Sequence, residues 1–158
     1  MLATLTTAKR LTLVESIGTP GVGGSLAGIN VTALPAGALA YVGSINRFYE
    51  LRKNLPSAVV PDVTIYRNVV AAVGSSNVAG YWVACQQQGQ ATLVGGEATV
   101  LGFDLSRPGK YLYSIVTGAG SIGDYVIFTA NTAGSLDVQS ADSDDTSTYF
   151  FTRVETPA

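Results

Sequence analysis

The sequence predicts an all-β protein, built as small β-sandwich or barrel modules with Gly-rich loops. Two observations carry that reading. Short runs rich in Val, Ile, Thr, Tyr and Phe recur along the second half at Glu97–Leu105, Lys110–Thr117, Asp124–Ala130, Ser135–Gln139 and Ser147–Val154, with turn-forming clusters between them. Within those runs the side chains alternate. Tyr111, Tyr113 and Ile115 share one face of a strand, and Leu112, Ser114 and Val116 share the other.

The first half is less regular. Thr4–Ser16 reads as one or two strands, and Ile17–Gly28 as a Gly-rich loop expected to order as an arm against a neighbour. Leu39–Ser44 and Arg47–Leu51 read as consecutive strands or one bent strand. Pro56 and Pro61 bracket a connection. Val63–Val73 and Ala79–Gln86 form a hairpin-like pair across Gly74–Asn77. Cys85 ends the run Tyr81-Trp82-Val83-Ala84 and is expected to be buried in it. The polar run Gln86-Gln87-Gln88-Gly89-Gln90 is the expected boundary between an N-terminal β-rich module with a Gly-rich arm (1–88) and a C-terminal antiparallel sandwich-like module (89–158). No long helix and no fixed-period repeat is evident.

Composition narrows function. Of 158 residues, 47% are hydrophobic and only 13% charged, against about 25% charged in a typical soluble domain. A surface so poor in charge is expected to be covered by a partner. No run approaches the ~20 apolar residues of a helical membrane span, and the order of charges at the N-terminus does not suit a signal peptide. Basic residues are scattered apart from Arg47, Arg52 and Lys53, so a nucleic acid is not an expected partner.

Catalytic chemistry has little to draw on. Histidine is absent, which removes imidazole-based triads and zinc sites. The four glutamates, Glu15, Glu50, Glu97 and Glu155, have no acidic neighbour in sequence. Gly118-Ala119-Gly120-Ser121-Ile122-Gly123 matches G-x-G-x-x-G, but a strand pattern follows where a dinucleotide site needs a helix. Asp142, Asp144 and Asp145 form the one acidic cluster. They lack the Gly and Glu spacing of a calcium loop and read as a solvated turn. The expectation is therefore a non-enzyme with no catalytic, cofactor-binding or metal-binding residue and no cofactor. Aromatics concentrate in the first module, Phe48 and Tyr49 among them, and both faces of the last strand carry aromatics, so Phe48, Tyr49, Tyr149 and Phe151 are the expected interface residues.

Two segments resemble a known class. Leu26–Val42, continuing to Arg47-Phe48-Tyr49-Glu50-Leu51 and later to Gly80-Tyr81-Trp82, is similar to a segment common in the virion proteins of tailed bacteriophages. Gly134–Ser140, followed by Asp145-Thr146-Ser147-Thr148, resembles the closing strands of small β-sandwich subunits on phage heads and fibres. The resemblance implies a structural protein of the virion, on the capsid surface or tail. It implies a decoration or cement-type subunit, often trimeric, whose partners are other copies of itself and the major capsid or another virion protein. It transfers no site residues. A tail- or head-fibre component is the alternative, as is a carbohydrate- or receptor-binding module using the aromatics of the first half.

No metal is expected in folding. Adding EDTA should leave the thermal transition unchanged, and a large downward shift would make the Asp142–Asp145 turn a cation site.

Overall fold

The computed structural model describes residues 11–18, 23–53, 66–73, 78–131 and 135–155. Among them the chain is mostly β, with two single-turn 3₁₀ helices, Leu26–Gly28 and Gly43–Ile45. The strands are β1 (Leu11–Val14), β2 (Leu39–Val42), β3 (Arg47–Arg52), β4 (Val69–Val73), β5 (Val78–Ala84), β6 (Gln86–Thr92), β7 (Glu97–Val100), β8 (Gly109–Thr117), β9 (Val126–Ala130), β10 (Leu136–Ser140) and β11 (Thr148–Glu155). The chain divides into two compact units. One takes its described residues from Met1–Asn54 and Val70–Val83, the other from Leu55–Val69 and Ala84–Ala158.

The first unit is built on a mixed five-stranded sheet of order β1-β2-β3-β5-β4. β1 and β2 run parallel, Leu11 beside Leu39, and β2 pairs antiparallel with β3, Tyr41 beside Phe48. Asn46, at φ 50°, turns the chain between β2 and β3, so these are two strands and not one bent strand. Leu26, Val31, Ala40, Val42, Tyr49, Leu51, Ala72 and Trp82 are all but fully buried. The Gly-rich segment departs from its expectation. Its described end packs into its own unit, because Leu26 is an apolar anchor with no exposure. The Leu26 and Ala27 amides donate to the Ser16 and Ile17 carbonyls, and Ser25 caps the short helix through Gly28 N–H. The rest of that segment, 19–22, lies outside the described residues, as do Pro56, Pro61 and residues 63–65 of the expected Val63–Val73 strand.

The second unit is sandwich-like. One three-stranded sheet has the order β6-β11-β8 and the other β7-β10-β9. Their inner faces supply one core: Ala91, Tyr149 and Phe151 from the first, Val126, Leu136 and Val138 from the second, with Leu93 and Phe103 from connections. Aromatic rings bridge the two sheets. Tyr111 of β8 stacks on Phe128 of β9 at 4.6 Å, and Phe128 meets Phe151 at 5.0 Å. Alternation along β11 is regular: Tyr149, Phe151 and Arg153 point inward, while Phe150 lies on the outer face against Tyr66.

The polar run expected as a module boundary is strand β6, in full register with β11 from Gln86–Val154 to Thr92–Thr148. Two features let so polar a run enter a core. Gln87 is fully buried and makes a reciprocal pair with Asp104: its amide donates to the Asp104 carbonyl (2.9 Å) and its Oε1 accepts from the Asp104 N–H (2.8 Å). Gly89 lies beneath the rings of Phe151 and Phe103, where an added Cβ would come within 2.5 and 2.8 Å of them. At the end of β6, Gly95 and Gly96 both take positive φ (62° and 76°), as a two-residue turn requires, and lead the chain into β7 of the other sheet. Cys85 lies at the bend between β5 and β6 and is exposed rather than buried, because the alternation breaks there.

Overpacking and cavity formation test this core. Gly89→Ala should destabilise by about 1–3 kcal/mol, because the rings above it cannot retreat without disturbing their stack. Phe151→Ala should cost about 3–5 kcal/mol. Urea denaturation followed by Trp82 fluorescence and far-UV circular dichroism would measure both, and a Gly89→Ala chain as stable as the wild type would contradict the described packing.

Candidate interaction surface

The expected interface residues separate into two groups in the structure. Tyr149 and Phe151 are buried in the core of the second unit and Tyr49 in that of the first, so none of the three is a surface group. Their aromatic character serves the interior: β11 is the central strand of its sheet and the facing sheet covers its inner side, so its inward residues have no route to solvent. Phe48 alone is exposed (49%), packed against Tyr41 at 5.0 Å. The Tyr41 hydroxyl donates to Asn46 Oδ1 at 2.6 Å, which holds that ring in place.

Most of the exposed large apolar side chains of the second unit lie on β8, β9 and the connection between them, with Val94, Leu101 and Val154 exposed elsewhere. β8 and β9 are each an edge strand of their sheet, and the Tyr111–Phe128 and Tyr113–Phe128 ring contacts place them on the same flank of the sandwich. Leu112 (70% exposed), Tyr113, Ile115 and Val116 (57%) project from β8. Ile127 projects from β9, and Ile122 and Tyr125 from the connection. The Val126 N–H donates to the Tyr113 hydroxyl (3.2 Å), tying the two edges together. An added Cβ on Gly118 would lie 2.9 Å from Ile122 and 3.9 Å from Ile115, so these two isoleucines crowd the same corner. Exposed apolar side chains thus lie on both faces of the β8 edge, Tyr113 and Ile115 on the inner side and Leu112 and Val116 on the outer, with Ile127 on the outer side of β9. The alternation of β8 was plain in the sequence. That its edge stays unpaired among the described strands depends on the strand order, which no local pattern encodes.

The acidic turn is only partly solvated. Asp142 and Asp144 sit at its surface, and the Asp144 N–H donates to Asp142 Oδ1 (2.9 Å). The hydroxyl of Ser121 donates to Asp142 Oδ2 (2.6 Å), and with that Asp144 N–H it draws the Asp142 carboxyl below its ordinary value. Asp145, by contrast, is fully buried. Its Oδ2 accepts from the hydroxyls of Ser140 (2.7 Å) and Tyr149 (2.6 Å), and its Oδ1 from the Ser147 N–H (2.9 Å). Burial alone would raise its pKa. The hydrogen bonds from Ser147, Tyr149 and Ser140 outweigh burial and hold the carboxyl far below its usual range. Tyr149 moves the other way: burial, then its bond to the Asp145 carboxylate, push its hydroxyl up to about 12. The short polar residues around Asp145 were visible in sequence, but the spatial convergence that buries the carboxylate was not.

Polar groups elsewhere are committed to one another. On the outer face of the second sheet, a shallow depression of about 380 Å³ is lined by Glu97, Thr99, Thr129, Asp137 and Gln139. Asp137 accepts there from Thr99 and Asn131, and Glu97 from Gln139. The cations Arg47, Arg52 and Lys53 do not form a patch. Arg52 is buried near Glu50 (3.9 Å), Lys53 donates to the Val31 carbonyl (3.1 Å), and Arg47 lies over the Tyr49 ring. The G-x-G-x-x-G segment leads through an exposed loop into β9, so no helix N-terminus follows it. Among the described residues, no three His, Cys, Asp or Glu side chains gather as a metal site requires, and no helix is long and apolar enough to cross a membrane. Compared with known proteins, the chain matches no family model and no curated relative.

The Asp145 cluster has a defined pH signature. A carboxyl whose folded-state pKa lies below its unfolded value near 3.8 stabilises the fold fully above that value, and the contribution is lost as pH falls toward the folded-state pKa. Asp145→Ala should destabilise at pH 7 by about 3 kcal/mol or more, since it strands buried donors. The gap from wild type should narrow below about pH 4. Above pH 10 the raised pKa of Tyr149 makes the wild type lose stability in turn, as the unfolded chain ionises first. Urea midpoints between pH 2 and pH 11 would check both limbs. A variant whose deficit is constant from pH 7 to pH 2 would contradict the ionised, buried Asp145.

Proposed function

We propose that this chain is a non-enzymatic structural subunit of a tailed-bacteriophage particle, of the capsid decoration or cement type, acting through contacts with copies of itself and with another virion protein. The observation that carries the reading is the apolar flank of β8 and β9: two neighbouring edge strands bearing exposed Leu, Ile, Val and Tyr, on a chain with few charges to keep such a surface wet. The resemblance of Leu26–Val42 and Gly134–Ser140 to phage virion segments gives the class of assembly. The described polar side chains support the same direction, because the acidic and amide groups satisfy one another in structural networks.

Sugar binding through a flat aromatic row finds less support. Tyr49 and Trp82 of the first unit are buried, and the exposed Phe48 contacts only Tyr41 among aromatic rings. The test is to purify particles from a lysate of the strain carrying this gene, detect the chain by mass spectrometry, and locate and count it by electron cryo-microscopy. Tens to hundreds of copies per particle, arranged on the capsid lattice, are expected for a decoration subunit. A chain absent from purified particles overturns the proposal, and a few copies confined to the tail would move it to the fibre alternative.

A further inference from the structure

We infer that β8 is a self-association edge: β8 of one copy pairs antiparallel with β8 of a second copy, joining two three-stranded sheets into one. The inference deepens the assembly reading above and rests on it for its setting, but it stands on separate observations.

The first is the character of the edge. Natural edge strands are kept from pairing by shortness, charge, proline or bulges. β8 uses none of these over most of its length. It runs nine residues, longer than the usual five or six. From Tyr111 to Thr117 it carries no charge, proline or glycine. Its pairing with β11 is regular from Gly109–Glu155 to Ile115–Tyr149, with the one shift at the far end, near Thr148. The backbone groups on its other side face no described strand. A long, regular, uncharged edge is a template for another strand.

The second observation selects the partner. The two ends of β8 differ in charge. Its start carries the exposed Lys110, while Arg107 just before it is paired with Glu155 (3.5 Å), which leaves Lys110 as the charge this end presents. Its end runs into the corner that holds Asp124, Asp142 and Asp144, because Gly120 bridges Asp145, the Thr146 N–H donates to the Ala119 carbonyl and Ser121 bonds Asp142. Antiparallel pairing of two copies sets each basic end toward the acidic end of the other, twice by symmetry. Parallel pairing would set like beside like. A two-fold contact is self-complementary and closes after two copies, so it gives a dimer and not a fibre.

Register follows from overlap. Centred on Tyr113, the midpoint of the strand, pairing sets Tyr113 against its own copy, Tyr111 against Ile115, Leu112 against Ser114 and Lys110 against Val116. The first two are aromatic–aromatic and aromatic–β-branched cross-strand pairs, and no like charges are opposed. On β8 itself Tyr113 and Ile115 lie on the inner face and Leu112 and Val116 on the outer, all four exposed, so pairing two copies extends both faces of the sheet and gives each of these side chains a cross-strand neighbour.

Sedimentation velocity over 1–200 µM tests this. The wild type should form dimers within that range. Val116→Asp, at a position the single chain leaves exposed, should weaken dimerisation at least tenfold with an unchanged thermal transition. Lys110→Glu should also weaken it, and Lys110→Glu combined with Asp144→Lys should restore it. In a Cys85→Ser background, pyrene attached at Ser114→Cys should give excimer emission, and pyrene at Thr99→Cys, on the far sheet, should not. A wild type that stays monomeric throughout overturns the inference. So does self-association that Val116→Asp leaves intact, or excimer emission absent at position 114. Failure here is separable from failure of the assembly reading. A chain found on particles with β8 unpaired keeps the function and removes this contact, whereas β8 dimers of a chain absent from particles do the opposite.

Discussion

Asp145 organises one end of the sandwich. Its side chain accepts hydrogen bonds from Ser140 at the end of β10, from Ser147 before β11 and from Tyr149 within β11. Its main-chain carbonyl accepts from Gly96 in the β6–β7 turn, and it bridges Gly120 in the β8–β9 connection. One buried residue, through its carboxylate and its main chain together, therefore gathers both sheets and three connections. A buried charge is tolerated only when its lone pairs are fully occupied, so the surrounding loops have little freedom to move. The positions of β8 and β9 follow, because the connection between them is pinned at Gly120 and at Ala119, whose N–H donates to the Ser147 hydroxyl.

The open flank follows from how this core is filled. Six strands in two sheets leave two edges on each sheet, and the aromatic packing of Tyr111, Tyr113, Phe128 and Phe151 draws the edges β8 and β9 to one side. The side chains that close the core at that flank are Tyr and Ile, and their outer halves stay wet. A chain richer in charge could have screened them with lysine or glutamate. With 13% charged residues, this one has few to place there, and cover from a partner is the physical alternative. Arg153 shows the same economy. It is buried, lies over the Tyr111 ring and donates to the carbonyls of Asp104 and Arg107 and to the Tyr111 hydroxyl, so one of the few cations serves the interior.

Much of the second unit was legible in sequence, since β8, β9, β10 and β11 fall within a residue or two of their predicted spans. Period-two alternation and turn residues are local signals, and antiparallel strands express them directly. β6 was not legible. Its glutamines and glycine lack strand propensity, and what makes it a strand is a reciprocal bond from Gln87 to Asp104 and two phenyl rings over Gly89, partners 14 to 62 residues away. Cys85 misled for the same reason. An apolar run continued to it, and only the bend between β5 and β6 turned it outward.

By itself, the sequence determined the all-β class, most strand positions, the lack of histidine chemistry and the shortage of charge, because each depends on residue type or near-neighbour spacing. Tertiary structure decided which aromatics face solvent. Phe48 and Tyr49 are neighbours in sequence, as are Phe150 and Phe151, yet one of each pair is buried and the other lies on the outer side. It also decided that Asp145 is a buried anchor while Asp142 and Asp144 remain at the surface, and that β8 ends a sheet rather than lying within one. Alternation says that two faces differ. Which face meets the core, and which edge stays unpaired among the described strands, is fixed only when distant strands choose their partners.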